Sequence, residues 1–411
     1  MACYQRLVLI FFASAIVFLG LLPQQALAVG VCAKRHLLSW ESRGIKECHR
    51  KFKGHRTGYS LFSLKRRKVI KLEQSTLFNR RSYQFSTPIY EAGTIYVGID
   101  AGKFYAISAK NSLQKLWVAN TVAGVHAAAA TADQHVYFGD VAGFAYALDK
   151  STGKELWRTE LDDEILAAPL IVDDKVYFHS LSGRLFALDR QSGVSLWHTD
   201  AIEKSWGFSV RKASTPVHFQ GNIYIGTSTG LVVSYRANNG DINWLRQLGD
   251  RSQIVFDVDA KVLLHEGRLY TSSADGALFC LKPQDGRIIW QLSVGGVNDV
   301  AISDDRLFVT GQGMLSAVDL KNHQIIWQQD FDTPELSAPV FGENYLAVVS
   351  TKDKLYMLDP ISGDIGAARF IRKGSFGEPL VVDDTLYVLS NSSHLFGFYV
   401  KDTKHRSKRA K

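Results

Sequence analysis

The sequence predicts an all-β fold: an eight-bladed β-propeller of four-stranded antiparallel blades, closed by an N-terminal strand in the last blade. Three observations point to it. The phrase HVYFGDVAGFAYALDKSTGKELW at 135–157 returns at 175–197 as KVYFHSLSGRLFALDRQSGVSLW, with the same punctuation. A tryptophan ladder, Trp117, Trp157, Trp197, Trp244, Trp290 and Trp327, is spaced 40, 40, 47, 46 and 37 residues apart. Between these marks, apolar and polar residues alternate with period two and helical periodicity is nearly absent. Sheets of short strands at a period near forty mean a repeat architecture, which overrides the two or three ordinary domains that 411 residues would otherwise suggest.

Each unit opens on an aromatic strand and answers it nine residues later. Tyr96 is followed by Tyr105, Tyr137 by Tyr146, Tyr177 by Phe186 and Tyr224 by Val233. Tyr270 with Phe279 and Tyr387 with Phe396 continue the series; Phe308 with Ser316 is one residue short, and Ala347 with Tyr356 is a weakened copy. The second strand ends in Leu-Asp or a relative, as at Asp149, Asp189, Asp319 and Asp359. A turn with Gly153, Gly193, Gly240, Gly286 or Gly363 follows, where positive φ comes without steric cost. Four of these glycines precede a ladder tryptophan by four residues, while Trp117 and Trp327 stand in units without one. An indole wedged between blades buries roughly 150–250 Å², so the ladder reads as blade-docking core and not as a binding cage. The eighth unit stops before its last strand, and RKVIKLEQ at 67–74 is expected to supply it, which removes an open sheet edge.

The flanks read differently. Residues 1–28 form a signal peptide: Arg6, the apolar run from Leu7 to Leu22, and a small-residue cleavage site at Ala26–Ala28. A basic arm (29–66), the propeller (67–400) and a basic tail (401–411) follow. The span 29–81 carries 15 Lys/Arg against 3 Asp/Glu, and 82–400 reverses this to 26 against 36. Behind an export signal, basic arms fit anionic lipid headgroups or the acidic body itself, not nucleic acid; a solvated tail without a partner is the simpler reading for 401–411. Cys32 and Cys48 are placed to form a disulfide in an oxidising compartment; alternatively both are free, as is Cys280 in a core strand.

No cofactor or metal is expected. GTSTG at 226–230 matches GxSxG, but a nucleophile elbow needs a strand-turn-helix context, and here the stretch aligns with GDVAG and HSLSG between strands. Asp257 and Asp259, two apart in FDVDAK, share one side of an extended segment. A solvated strand end, contact with a partner's Arg or Lys, and a calcium site all remain open for them, although calcium wants six to eight oxygens.

The unit YALDKSTGKELW resembles the PQQ-type propeller repeat, shared by quinoprotein dehydrogenases and non-enzymatic relatives. The dehydrogenases carry adjacent cysteines and calcium ligands, which this chain lacks. Over about residues 70–400 the sequence more closely resembles the BamB family of outer-membrane β-barrel assembly factors. DVD before a strand, DGALFCL with DGRIIW, GGVNDVAISDDRLFV and FSVRKASTP carry that resemblance. It implies a monomeric, periplasmic, non-catalytic scaffold on the outer membrane, partnered with a BamA-like barrel-assembly protein. It assigns partner contact to Phe208, Val210 and Arg211 in one loop and to the acidic pair Asp257 and Asp259. The family's lipid anchor would fall on Cys32, yet Val31 before it departs from the small residue that anchor needs, and the expected mature N-terminus is Val29. Another periplasmic scaffold and a reduced quinoprotein dehydrogenase are the rival functions.

Overall fold

Five of the short strands that open the repeats are introduced by proline: Pro88, Pro169, Pro216, Pro339 and Pro379. Proline has no N–H to give a ladder and so fits the start of an edge strand. The computed structural model describes residues 62–73, 83–110, 113–201, 213–248, 258, 261–273, 276–295 and 297–402. They form eight four-stranded antiparallel sheets. Blades 1 to 7 span 89–120, 130–160, 170–198, 217–247, 263–293, 297–330 and 340–370, each running through its sheet in chain order. The first strands of neighbouring blades adjoin one another, so they are innermost, and the tryptophan-bearing last strands form the rim.

Blade 8 is built from both ends of the chain. Its order is Leu380–Val382, Thr385–Ser390, His394–Asp402 and then the N-terminal strand Phe62–Lys71. The closing strand therefore begins five residues before the expected 67 and ends three before the expected 74. A β-bulge between Arg66 and Lys68 explains the difference. It flips the side-chain phase: Phe62 and Leu64 pack into the cluster shared with blade 7, whereas Ile70 and Leu72 pack into the one shared with blade 1. Alternation read from Val69 onward cannot be extended backwards through such an insertion.

Strand register shows why the repeat alternates as it does. Tyr96, Ala106 and Trp117 stand in one row across blade 1, and Tyr137, Ala147 and Trp157 in the same row of blade 2. The middle position is also small in the next four blades: Ala187, Ser234, Cys280 and Ala317. Two aromatic rings thus meet over a small residue, with centroids 5.7–6.0 Å apart in all six blades. Blade 7 inverts the sizes, placing Met357 between Ala347 and Ala367.

Each tryptophan then locks the following blade. The Gly153 Cα lies so close to Trp117 that an added Cβ would sit 2.6 Å from the indole, and Gly193 stands likewise on Trp157. Gly240, Gly286 and Gly363 repeat the contact with Trp197, Trp244 and Trp327. Trp290 meets His323 instead, stacked at 4.7 Å with φ +58°. The turn glycine therefore belongs with the tryptophan of the preceding unit, not with the one four residues after it. This accounts for the glycine in blade 7, which has no tryptophan of its own. Four indole N–H groups donate across the same joint, to the carbonyls of Lys150, Arg190, Pro283 and Pro360.

Candidate functional site

The turns between second and third strands, together with the links from one blade to the next, all emerge on one face of the ring. A side-chain oxygen closes most of these turns. The Asp140 carboxylate accepts N–H bonds from Ala142 and Phe144, and the hydroxyls of Ser180 and Thr227 accept from Arg184 and Leu231. GTSTG is one of them, joining strands Asn222–Gly226 and Leu231–Arg236 with no helix after it. Its chemistry is turn closure.

Gly139 and Gly226 end the second strands of blades 2 and 4, Gly98 stands one residue before the end of that of blade 1, and their missing side chains admit Ile165, Val258 and Val125 from the following links. Blade 3 has His179 at this place. The ring is 1 % exposed and its Nδ1 donates to the Ser214 carbonyl at 2.7 Å, while Nε2 is buried with no partner. Burial drives its pKa down to about 4, against weaker upward pulls from the Ser214 carbonyl bond and Asp163. A neutral imidazole thus pins the far end of the link between blades 3 and 4.

That link and the next hold the residues that the sequence marks for partner contact. Phe208, Val210, Arg211, Asp257 and Asp259 lie outside the described residues, as does Cys32. The described residues on either side of them can be placed. Ala201 and Ala213 bound the first stretch and Leu248 the second, which is anchored by Val258, fully buried with its N–H on the Thr227 carbonyl at 3.0 Å. Both links start and end on the same face, at adjacent blades.

Sequence reading missed a charged trio at the axis. By register, Thr87, Ala128, Ala168, Thr215, Lys261, Asp299, Ala338 and Glu378 are equivalent positions, two residues before the inner-strand pairing point of each blade. Lys261 of blade 5 pairs with Glu378 of blade 8, so the contact spans the ring. Burial opposes the ammonium's charge, but the carboxylates of Glu378 and Asp299 outweigh it and hold its pKa above the usual lysine range. The signal was available: counting back nine residues from the residue that marks each unit, Tyr96 to Tyr387, puts these three charges where the other blades carry Ala or Thr.

A profile of the family described as outer membrane protein assembly factor BamB matches residues 105–329 and 311–406. The chain belongs to the BamB family. An outer membrane protein assembly factor BamB of Shewanella oneidensis is 29% identical over 195 residues, 46% of this chain and 49% of its own length. That of Alkalilimnicola ehrlichii is also 29% identical, over 46% of this chain and 51% of its own. The chain thus spans about half the length of the curated relatives it matches. Among solved structures, BamB from Moraxella catarrhalis superposes with a TM-score of 0.71 at 21% identity, covering 82% of this chain and all of that one. A quinohemoprotein alcohol dehydrogenase from Comamonas testosteroni reaches 0.66 at 13% identity, over 83% and 76% of the two chains. These likenesses concern the fold; the propeller of the BamB family is shared with redox enzymes.

Proposed function

We propose that the protein is an exported, non-catalytic scaffold of the outer-membrane β-barrel assembly machinery, which holds a BamA-like barrel-assembly protein and assists insertion of β-barrel proteins. The family match over most of the propeller carries this reading. Four described ionisable groups serve the scaffold, which supports the reading: Asp149 and Asp189 close turns, His179 pins a link and Lys261 braces the axis. The sequence offers no adjacent cysteines for a quinone site.

The partner surface is assigned to Phe208, Val210 and Arg211 with Asp257 and Asp259 one blade on. Apolar anchors beside an arginine are the composition of an interface hot spot. Truncating a desolvated interfacial charge costs about 2–5 kcal/mol, enough to abolish a micromolar contact. The protein acts from the periplasmic side of the outer membrane, with residues 1–28 removed, Val29 as the unlipidated N-terminus, and the basic arm ahead of the Phe62–Lys71 strand facing anionic headgroups.

Co-purification from detergent-solubilised outer membranes tests the assignment. Arg211→Glu and Asp257→Lys/Asp259→Lys should stay folded and lose the barrel-assembly protein, whereas Asp149→Lys should lower the melting temperature first. Retention of the partner at wild-type levels by both site variants would refute the surface, and dye-linked alcohol oxidation would refute the non-catalytic role.

A further inference from the structure

The opposite face carries the turns between first and second strands and between third and fourth. Under blades 6, 7 and 8 these turns border a recess of about 760 Å³. Five carboxylates line it, those of Asp304, Asp305, Asp319, Glu343 and Asp359, against two cations, Arg306 and Lys321. Both cations are engaged: Lys321 pairs with Asp305, and the Arg306 guanidinium donates across the blade joint to the Pro360 carbonyl at 2.9 Å. Asp304 and Glu343 are exposed and make no ion pair among the described residues.

The recess lies where the chain enters and leaves the ring. Phe62, the first residue of the closing strand, lines it and stands opposite Asp402, the last residue of the partner strand. Two residues before Asp402, the Val400 N–H donates to the Asp384 carbonyl at 2.7 Å, and Asp384 presents a further exposed carboxylate. Its charge is felt in the recess. Tyr345 lines the recess at 6 % exposure, and its hydroxyl is buried without a hydrogen-bond partner. Burial first, and then the Asp384 carboxylate, push that hydroxyl up to about 12, so it stays protonated.

The chain enters this corner through 57–61, which carry no charge, and leaves it through 403–411, which carry five Lys/Arg and no Asp/Glu. At about 3.3–3.6 Å per residue, nine extended residues reach roughly 30 Å, enough to cross the recess. Among the described residues no three acidic, histidine or cysteine side chains come together to hold a metal ion, and a negative lining repels anionic headgroups. A peptide segment supplies what both parts of the recess lack: cations for the carboxylates, and backbone carbonyls for the Tyr345 hydroxyl. We infer that residues 403–411 dock in this recess, with their Lys and Arg side chains on Asp304, Glu343 and Asp384. Docking joins the end of the chain to blades 6 and 7, and so fastens blade 8 where its closing strand begins. The barrel-assembly partner is assigned to the other face, so the two docking events are independent.

Carbodiimide cross-linking of the full-length protein at low salt, with the monomer band read by peptide mass spectrometry, tests the contact. Lys404, Lys408 or Lys411 should be joined to Glu343, Asp304 or Asp384, and the yield should fall at about 0.5 M salt, where the Debye length is about 4 Å. Limited trypsin digestion supplies a rate. Cleavage after Lys404 and Arg406 should be about threefold slower in wild type than in Asp304→Asn/Glu343→Gln, the gain expected from two exposed ion pairs. Asparagine suits the left-handed backbone at 304, with φ +51°, so the variant should stay folded, which circular dichroism checks. Four results would overturn the inference: equal cleavage rates, tail cross-links only to carboxylates elsewhere on this face such as Asp133 or Asp174, cross-links only between molecules, or protection of the tail only when anionic lipid vesicles are added.

Discussion

At the scale of residues, the blade joint depends on what is missing from a glycine. Gly193 and Gly221 share a left-handed backbone, with φ +72° and +77°, but only Gly193 stands on an indole; nothing lies within 4 Å of a Cβ on Gly221. Gly221→Ala should therefore show the backbone cost alone, about 1 kcal/mol or somewhat more. Gly193→Ala should lose about 1–3 kcal/mol beyond that, through the clash with Trp157, and paired urea titrations would separate the two. Equal losses would show that the indole is not a tight partner. His179 gives a pH signature. Its pKa is lowered in the fold, so its contribution is complete above about 6.5 and is lost as pH falls towards about 4. Denaturant midpoints should drop across that window for wild type and drop less for His179→Gln. Asp149 acts in a more acidic window. The hydroxyls of Ser151 and Thr152 and their N–H groups hold its pKa at about 2, so that contribution disappears only between about pH 4 and about pH 2.

At the scale of elements, the closing strand carries the most consequence. It pairs with His394–Asp402 along its whole length and fills two core clusters at once. Deleting 29–52 should leave the melting temperature unchanged. Deleting 29–71 removes Phe62, Leu64 and Ile70, uncovers the edge of His394–Asp402 and should destabilise the ring as a unit. Equal melting temperatures for the two truncations would show that blade 8 holds without its outer strand.

At the scale of the whole molecule, the axial charges brace the ring. Lys261→Met removes the cation that Glu378 and Asp299 face, and the cost should approach the lower end of the roughly 3–5 kcal/mol seen when buried pairs are broken, because Lys261 is partly solvated. Adding Glu378→Met should recover much of that loss. No recovery in the double variant would show that the pair is not what holds blades 5 and 8 together.

The repeat, the number of blades, the tryptophan ladder and the use of the N-terminus to close blade 8 were legible in the sequence, because local patterns recur along the chain and the last copy visibly lacks a strand. Period-two alternation dictates which side chains share a face, and glycine spacing dictates the turns. What tertiary structure decided is what depends on the neighbouring blade. The glycine that a tryptophan needs is written in the next repeat, the bulge that shifts the closing strand depends on its partner's register, and Lys261 meets a residue 117 positions away only because the ring closes.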